Sequence, residues 1–250
     1  MTNKATVWTE TFRVRSYETD PSGKASIQTI CDYLQEAAGN HASDLGVSIE
    51  HLADRDLTWV LTRLRVEMDR LPDWKDEVVV ETWPSGTDRL MATRDFIVRD
   101  GRGDDLGRAS SAWLLIERTR RRPVRLPEAI TTWELPKRER AIDDPPANLP
   151  GIGDDAVERQ VRVRYGDLDV NGHVNNVRYV EWSVEGVPAD VLREQVVCSL
   201  DLHFRAEGNY GDVVTVRSST VPGEEARTYA HVIVRDGDEL ARARTKWIPR

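Results

Sequence analysis

The stretch Val161-Arg-Val-Arg-Tyr-Gly-Asp-Leu-Asp-Val-Asn-Gly-His-Val-Asn-Asn-Val-Arg-Tyr-Val-Glu-Trp182 decides how the rest of the sequence is read. It starts with apolar and basic residues in alternation, the period-2 pattern of a strand. After Asp-Val-Asn-Gly-His it continues with Val174, Val177 and Val184, with Val180 near the same line, which suits one face of a helix. Asp169, Asn171 and His173 therefore fall at a strand-to-helix turn, where polar side chains meet the positive end of a helix dipole. The same residues open like an EF-hand, with Asp167, Asp169, Asn171 and Gly172 in calcium-loop spacing. The twelfth position of that loop needs a bidentate Glu and is Arg178 here, and a strand precedes the loop where an EF-hand has a helix. Calcium is rejected on those grounds.

Reading outward from this turn uncovers a duplication. A strand over about Thr6 to Tyr17, a turn at Asp20-Pro-Ser-Gly23 and a helix carrying Ile27, Ile30, Leu34 and Ala37-Ala38 form the first half's opening. Four strands are expected after it, over Val60–Met68, Glu77–Trp83, Leu90–Arg99 and Leu106–Glu117. The second half repeats that order: Arg13-Val-Arg15 aligns with Arg162-Val-Arg164, Asp20 with Asp169, and Gly23 with Gly172, each 149 positions on. Ile97-Val-Arg-Asp-Gly101 aligns with Ile233-Val-Arg-Asp-Gly237, and Leu106 to Trp113 with Leu240 to Trp247. Matched turns in identical order read as an internal repeat. Residues 1–140 are expected to form the first copy, 141–157 a proline-punctuated linker, and 158–250 the second copy. Ser22 and Lys24 stand where the second copy has Asn171 and His173, whereas the acid is kept as Asp20. That asymmetry points to one working turn and one scaffold or binding wall; drift between two structural turns is the competing explanation.

Composition narrows the class. A net charge of −8 argues against general affinity for nucleic acid or anionic membranes. No apolar run reaches the length of a membrane span, and the N-terminus lacks the apolar core of a signal peptide. Two cysteines, Cys31 and Cys198, make no disulfide framework, so a reduced cytoplasmic setting is expected. Neither sits in a metal-spaced cluster.

Asp-Leu-Asp-Val-Asn-Gly-His-Val-Asn-Asn-Val-x-Tyr, from Asp167 to Tyr179, resembles the acyl–acyl carrier protein (acyl-ACP) thioesterase family of plants and bacteria. Shorter pieces follow in the right order along most of the chain: Tyr33 to Ala38, Ala42 to Gly46, Thr58 to Arg63, Thr82 to Gly86, Arg94 to Phe96 and Ser111 to Arg121. The resemblance implies an α+β tandem double hotdog, two antiparallel sheets each wrapped around a central helix. It implies hydrolysis of fatty acyl-ACP in fatty acid biosynthesis, with no cofactor and no metal. The family's catalytic positions fall on Asp169, Asn171, His173 and, in Phe204-Arg-Ala-Glu-Gly208, on Glu207. Plant members carry a Cys after that Glu, and this chain has Gly208, so a Cys–His mechanism is not available here. Gly172 also replaces a bulkier residue. The first copy is implied to hold the acyl chain, with Trp59, Val60 and Leu61 as candidates.

The residue types fit thioester hydrolysis. An imidazole is suited to general base work near neutral pH, and a carboxylate can orient it or act itself. Asn171 and the amides at the helix N-terminus are candidate donors to the oxyanion or to water, with Asp169 positioning them. A covalent anhydride on Glu207 or Asp169 is the alternative route. Asp169, kept in both copies, also suits a purely turn-fixing role, and Glu207 beside Arg205 also suits a surface ion pair. His41, His51, His203 and His231 lie in no motif and are expected to be structural or exposed. The basic run Arg118, Arg120, Arg121, Arg122 with Arg125 is the candidate docking patch for an acidic carrier protein, against a plain solvated loop. An acyl-CoA thioesterase, a non-catalytic acyl-binding module and a hotdog dehydratase are the rival functions; a homodimer is left open.

Overall fold

The computed structural model describes residues 6–127, 130, 135–143, 148–224 and 227–250. The chain divides into two compact units, 1–62 with 69–143 and 63–68 with 144–250. Within the expected linker, residues 144–147 lie outside the described residues.

The first unit opens with β1 (Trp8–Arg13), shorter than the expected strand because Ser16–Glu18 turns into a short 3-10 helix. Helix α1 (Ile27–Asp44) follows, started by Ser26, whose hydroxyl accepts the Thr29 amide. Its buried residues Ile27, Ile30, Leu34, Ala37, Ala38 and His41 recur every three to four positions, one continuous stripe. That stripe lies against β1 and β3 (Glu77–Thr87). After the short α2 (Ile49–Ala53) come β2 (Leu57–Met68), then β4 (Met91–Asp100), β5 (Asp105–Glu117) and the two-residue β6 (Arg122–Pro123). Antiparallel pairing runs β1-β3-β4-β5, with β6 on β5. Segment 138–141 is clasped to this unit. Arg138 lies over the Trp83 ring and pairs with Glu81, while Arg140 makes a two-pronged bond to buried Asp95 (2.7 and 3.0 Å).

The second unit repeats the scheme with β7 (Val157–Arg162), α3 (Asn176–Glu185), α4 (Ala189–Glu194), β8 (Gln195–Phe204), β9 (Val213–Thr220), β10 (Arg227–Arg235) and β11 (Asp238–Pro249). Here α3 buries Val177, Tyr179, Val180 and Val184 against β9, β10 and β11. Residues 63–68 of β2 belong to this unit and pair with β8, Leu64 opposite Leu202 and Val66 opposite Leu200. From there the order is β8-β11-β10-β9-β7. Each unit is an antiparallel sheet packed on one long helix, the hotdog arrangement. Period-2 alternation along β2 located the strand but carries no information on which unit each half joins.

Candidate active site

The site is built on the turn between β7 and α3. Past Arg162, the Val163 amide donates to Asp212 O (2.9 Å) and a 3-10 turn at Tyr165–Asp167 is closed by Arg164. Its amide and guanidinium donate to the Asp167 carboxylate at 2.7 and 3.1 Å. Burial works to raise the Asp167 carboxyl, but these bonds outweigh it and hold it below the usual carboxylate range. The turn proper is closed by Asp169 N to His173 O (2.8 Å) and Gly172 N to Asp169 O (3.0 Å). Gly172 has φ +78°, a conformation only glycine adopts without cost. Asp169 Oδ1 accepts the amides of Asn171 (2.8 Å) and His173 (3.3 Å), and Oδ2 accepts the Asn171 side-chain amide at 3.3 Å.

His173 turns toward the loop after β8, where its Nε2 is 3.2 Å from Glu207 Oε2. Both side chains are about 30% exposed (31% and 30%), so the pair is held by the protein yet open to a reactant. Thirty-four residues apart in sequence, they meet because Val174 N donates to Gly208 O (2.9 Å), tying the residue after each to the other. The Gly208 amide donates to the hydroxyl of Tyr179 (2.9 Å). Arg235 Nη1 donates both to Glu207 O (3.2 Å) and to the Asp212 carboxylate (2.7 Å). Burial pushes the Tyr179 phenol up to about 12, so it stays protonated.

Between side chains the four expected residues pair as His173 with Glu207 and Asn171 with Asp169, and Asp169 is tied to His173 through the main chain. Glu207 is not paired with Arg205, which binds Glu239 at 2.8 Å. The helix N-terminus offers less than expected. Asn175 Oδ1 accepts Val177 N, Arg178 N donates to Asn175 O, and Asn175 N donates to Asp167 O, so these amides already have acceptors. Gly208 leaves no thiol here; Cys31 is buried in α1 and Cys198 lies half-buried in β8, both unpaired.

In the first unit, Trp59 packs on the apolar cluster Leu52, Leu115, Leu126 and Ile130 and donates its indole N–H to Val47 O (2.9 Å). Strand alternation puts Leu61 on the face of Trp59 and Val60 on the other. Arg118, Arg120, Arg121, Arg122 and Arg125 are all exposed around the β5–β6 hairpin, and Arg120 is 3.6 Å from Glu117. His41 is buried and receives a bond from Arg94 (2.9 Å); His231 is buried between Ser218 and Thr245, both at 2.8 Å. His51 is exposed and His203 faces Asp201 at 3.5 Å. Sequence reasoning missed Tyr179, Arg235 and Asp212. The signal was present in the aligned copies, where Gly208 is matched by Pro72 and Tyr179 by Ile30.

Comparison with known proteins bears on this geometry. The acyl-ACP thioesterase N-terminal domain matches residues 5–133, and the acyl-ACP thioesterase C-terminal domain matches residues 153–249. The chloroplastic palmitoyl-acyl carrier protein thioesterase of Cuphea hookeriana is 33% identical over 263 residues, covering 98% of this chain and 63% of that protein. The chain therefore spans a little under two thirds of the length of that curated relative. The solved 12:0-ACP thioesterase from Umbellularia californica is 32% identical, covers 98% of each chain and superposes with a TM-score of 0.87. An acyl-ACP thioesterase from Bacteroides thetaiotaomicron is 26% identical, covers 99% of this chain and 100% of its own, with a TM-score of 0.88. With both halves matched and the tandem hotdog shared from end to end, the chain belongs to the acyl-ACP thioesterase family.

Proposed function

We infer that this protein hydrolyses the thioester of fatty acyl-ACP, releasing the fatty acid and the carrier protein's free thiol. The observation that carries the reading is the 3.2 Å contact between His173 Nε2 and Glu207 Oε2, half-exposed beside Asn171, in a chain of this family. With Nε2–H donating to the carboxylate, Nδ1 is left without a proton and serves as the base that takes one from water. The resulting hydroxide attacks the acyl carbon. Asn171, oriented by Asp169, directs the water or donates to the oxyanion. As the C–S bond breaks, the imidazolium returns its proton to the departing thiolate. Glu207 stabilises the transient imidazolium across the short contact, the part played by a carboxylate behind any catalytic histidine.

The first unit supplies the binding half in this reading. Its apolar cluster around Leu52 and Trp59 suits an acyl chain, and the exposed arginines of the β5–β6 hairpin suit an acidic carrier protein. Two unpaired cysteines suit a reducing compartment such as the cytoplasm.

Paired hydrolysis assays with one acyl chain carried on ACP and on coenzyme A test the reading. A higher kcat/KM on ACP, abolished by His173→Ala, is expected. Equal or greater activity on coenzyme A moves the protein to the acyl-CoA class, and no turnover on either leaves an acyl-binding module.

A further inference from the structure

Glu207 is held in place from its own backbone. The peptide unit joining Glu207 to Gly208 is gripped at both polar ends: its carbonyl accepts Arg235 Nη1 at 3.2 Å and its N–H donates to the Tyr179 hydroxyl at 2.9 Å. Arg235 is anchored in turn by Asp212 at 2.7 Å. Burial works to raise the Asp212 carboxyl, but the hydrogen bonds from Arg235 and from Asn209 N outweigh it and keep it ionised. Two bonds to one peptide plane fix its rotation, and with it the direction in which the Glu207 side chain leaves the main chain.

The first copy shows which of these bonds the fold itself needs. Ser26 and Asn175 are equivalent helix caps, and Ala25 N donates to Pro72 O as Val174 N donates to Gly208 O (2.8 and 2.9 Å). These equivalences place Ile30 where the second copy has Tyr179, Pro72 where it has Gly208, and Leu71 where it has Glu207. Proline has no N–H to donate and isoleucine no hydroxyl to receive one. Arg99, the counterpart of Arg235 in the repeated Ile-Val-Arg-Asp-Gly, binds Asp105 at 3.0 Å and lies 3.6 Å from Glu81. The bond from Val174 N to Gly208 O has its counterpart in Ala25 N to Pro72 O, whereas the Tyr179–Gly208 bond can form only in the copy that carries Glu207. Gly208 itself makes room for the phenol, since a Cβ there would stand 2.8 Å from Val174 Cγ2 and 3.1 Å from Tyr179 Oη.

We propose that Tyr179 and Arg235 are positioning residues for hydrolysis, clamping the Glu207–Gly208 peptide so that the Glu207 carboxylate stays on Nε2 of His173. The proposal rests on the thioesterase reading for its kinetic consequence, but not for its geometric one.

Its test is a double-mutant cycle. Tyr179→Phe removes only the hydroxyl and should lower kcat on acyl-ACP about 10–100-fold, the scale of a reacting group misplaced by about 1 Å, with KM changed less than about twofold. In a Glu207→Gln background, Tyr179→Phe should lower kcat no further, because its effect passes through the missing carboxylate. A multiplicative loss in both backgrounds would mean a general structural role and overturn the proposal. Arg235→Met, which leaves Asp212 the Asn209 amide as a partner, should behave in the same way and guards against a folding defect particular to Tyr179→Phe. A second readout needs no turnover: the ring ¹⁵N resonance of His173 should move in the same direction in Tyr179→Phe, Arg235→Met and Glu207→Gln. An unmoved His173 resonance in the first two overturns the clamp even if activity falls. A wild-type protein inactive on acyl-ACP overturns the functional reading alone, and the resonance still decides the clamp.

Discussion

The turns at Asp20–Lys24 and Asp169–His173 are closed by the same backbone bonds and hold different chemistry. In each, the acid's amide donates to the carbonyl four residues on (2.8 Å in both) and the glycine amide returns to the acid's carbonyl (2.9 and 3.0 Å). In each, the acid's Oδ1 accepts the amide two residues on, at 2.8 Å. Gly23 and Gly172 share a positive φ (+84° and +78°), and Arg15–Glu18 closes the preceding 3-10 turn as Arg164–Asp167 does. What differs lies beyond the acid. The first turn spends its last residue on an ion pair, Lys24 to Asp73 at 2.9 Å, and sets buried Leu71 where Glu207 would be. The second points His173 at Glu207. The shared part makes a turn, so Asp169 has a structural duty that Asp20 also performs. On the proposed function, reactivity belongs to the unshared part.

The strongest way to break this comparison is to remove its unshared half. His173→Ala and Glu207→Gln should each lower kcat on acyl-ACP by about 10²–10⁴-fold, the usual worth of a general base and its support. Either variant retaining a tenth of wild-type kcat would separate the contact from the chemistry.

Among the polar groups that the two units bury, the first unit holds Asp95, clasped by Arg140, and the second holds the imidazole of His231. Burial pulls the His231 imidazole down from 6.5 to about 3, so the folded state holds it neutral while the unfolded chain protonates it below about 6.5. Its contribution is complete above that pH and is lost as pH falls toward 3. Urea unfolding should show wild type losing about 2 kcal/mol more than His231→Gln between pH 7 and pH 5, from about 1.4 kcal/mol per pH unit. Parallel losses in the two proteins would show that His231 ionises in the native state.

Reversing Arg120, Arg121 and Arg122 to Glu should raise KM for acyl-ACP about tenfold and leave hydrolysis of acyl-CoA unchanged, since exposed charges steer a charged partner more than they stabilise a fold. Equal effects on both substrates would take carrier docking away from the first copy. The mildest test is Lys24→Ala. The Lys24–Asp73 pair is exposed (40% and 62%), so its loss should cost at most about 1 kcal/mol in thermal unfolding. Turnover should stay within about twofold. A large loss of turnover would mean that the first turn is not silent.

Much of this was legible in the sequence because local signals carried it. Strand alternation, the helix stripe from Ile27 to Ala38 and the matched Asp–Gly turns are each written within a few residues, whereas the extension of that stripe to buried His41 is not. The Asp169, Asn171 and His173 cluster lies in one turn and is equally local. Glu207 was found through the family resemblance, since nothing near Arg205-Ala-Glu-Gly indicates a partner thirty-four residues upstream. Tyr179 read as one more residue of an apolar helix face, and only the fold shows its hydroxyl meeting a main-chain amide. The β2 periodicity is equally blind to neighbours, because a strand's pattern records which face is buried and not which strand lies alongside.

That last strand bears on how the duplicated halves have become interdependent. The second sheet takes one of its members, 63–68, from the middle of the first copy, where Arg63 also makes a two-pronged bond to buried Asp201 (3.1 and 2.7 Å). A polypeptide consisting of 144–250 alone would present β8 as a bare hydrogen-bonding edge and leave Asp201 buried without its arginine. The second copy's sheet is therefore completed by a strand that the repeat's boundary assigns to the first copy.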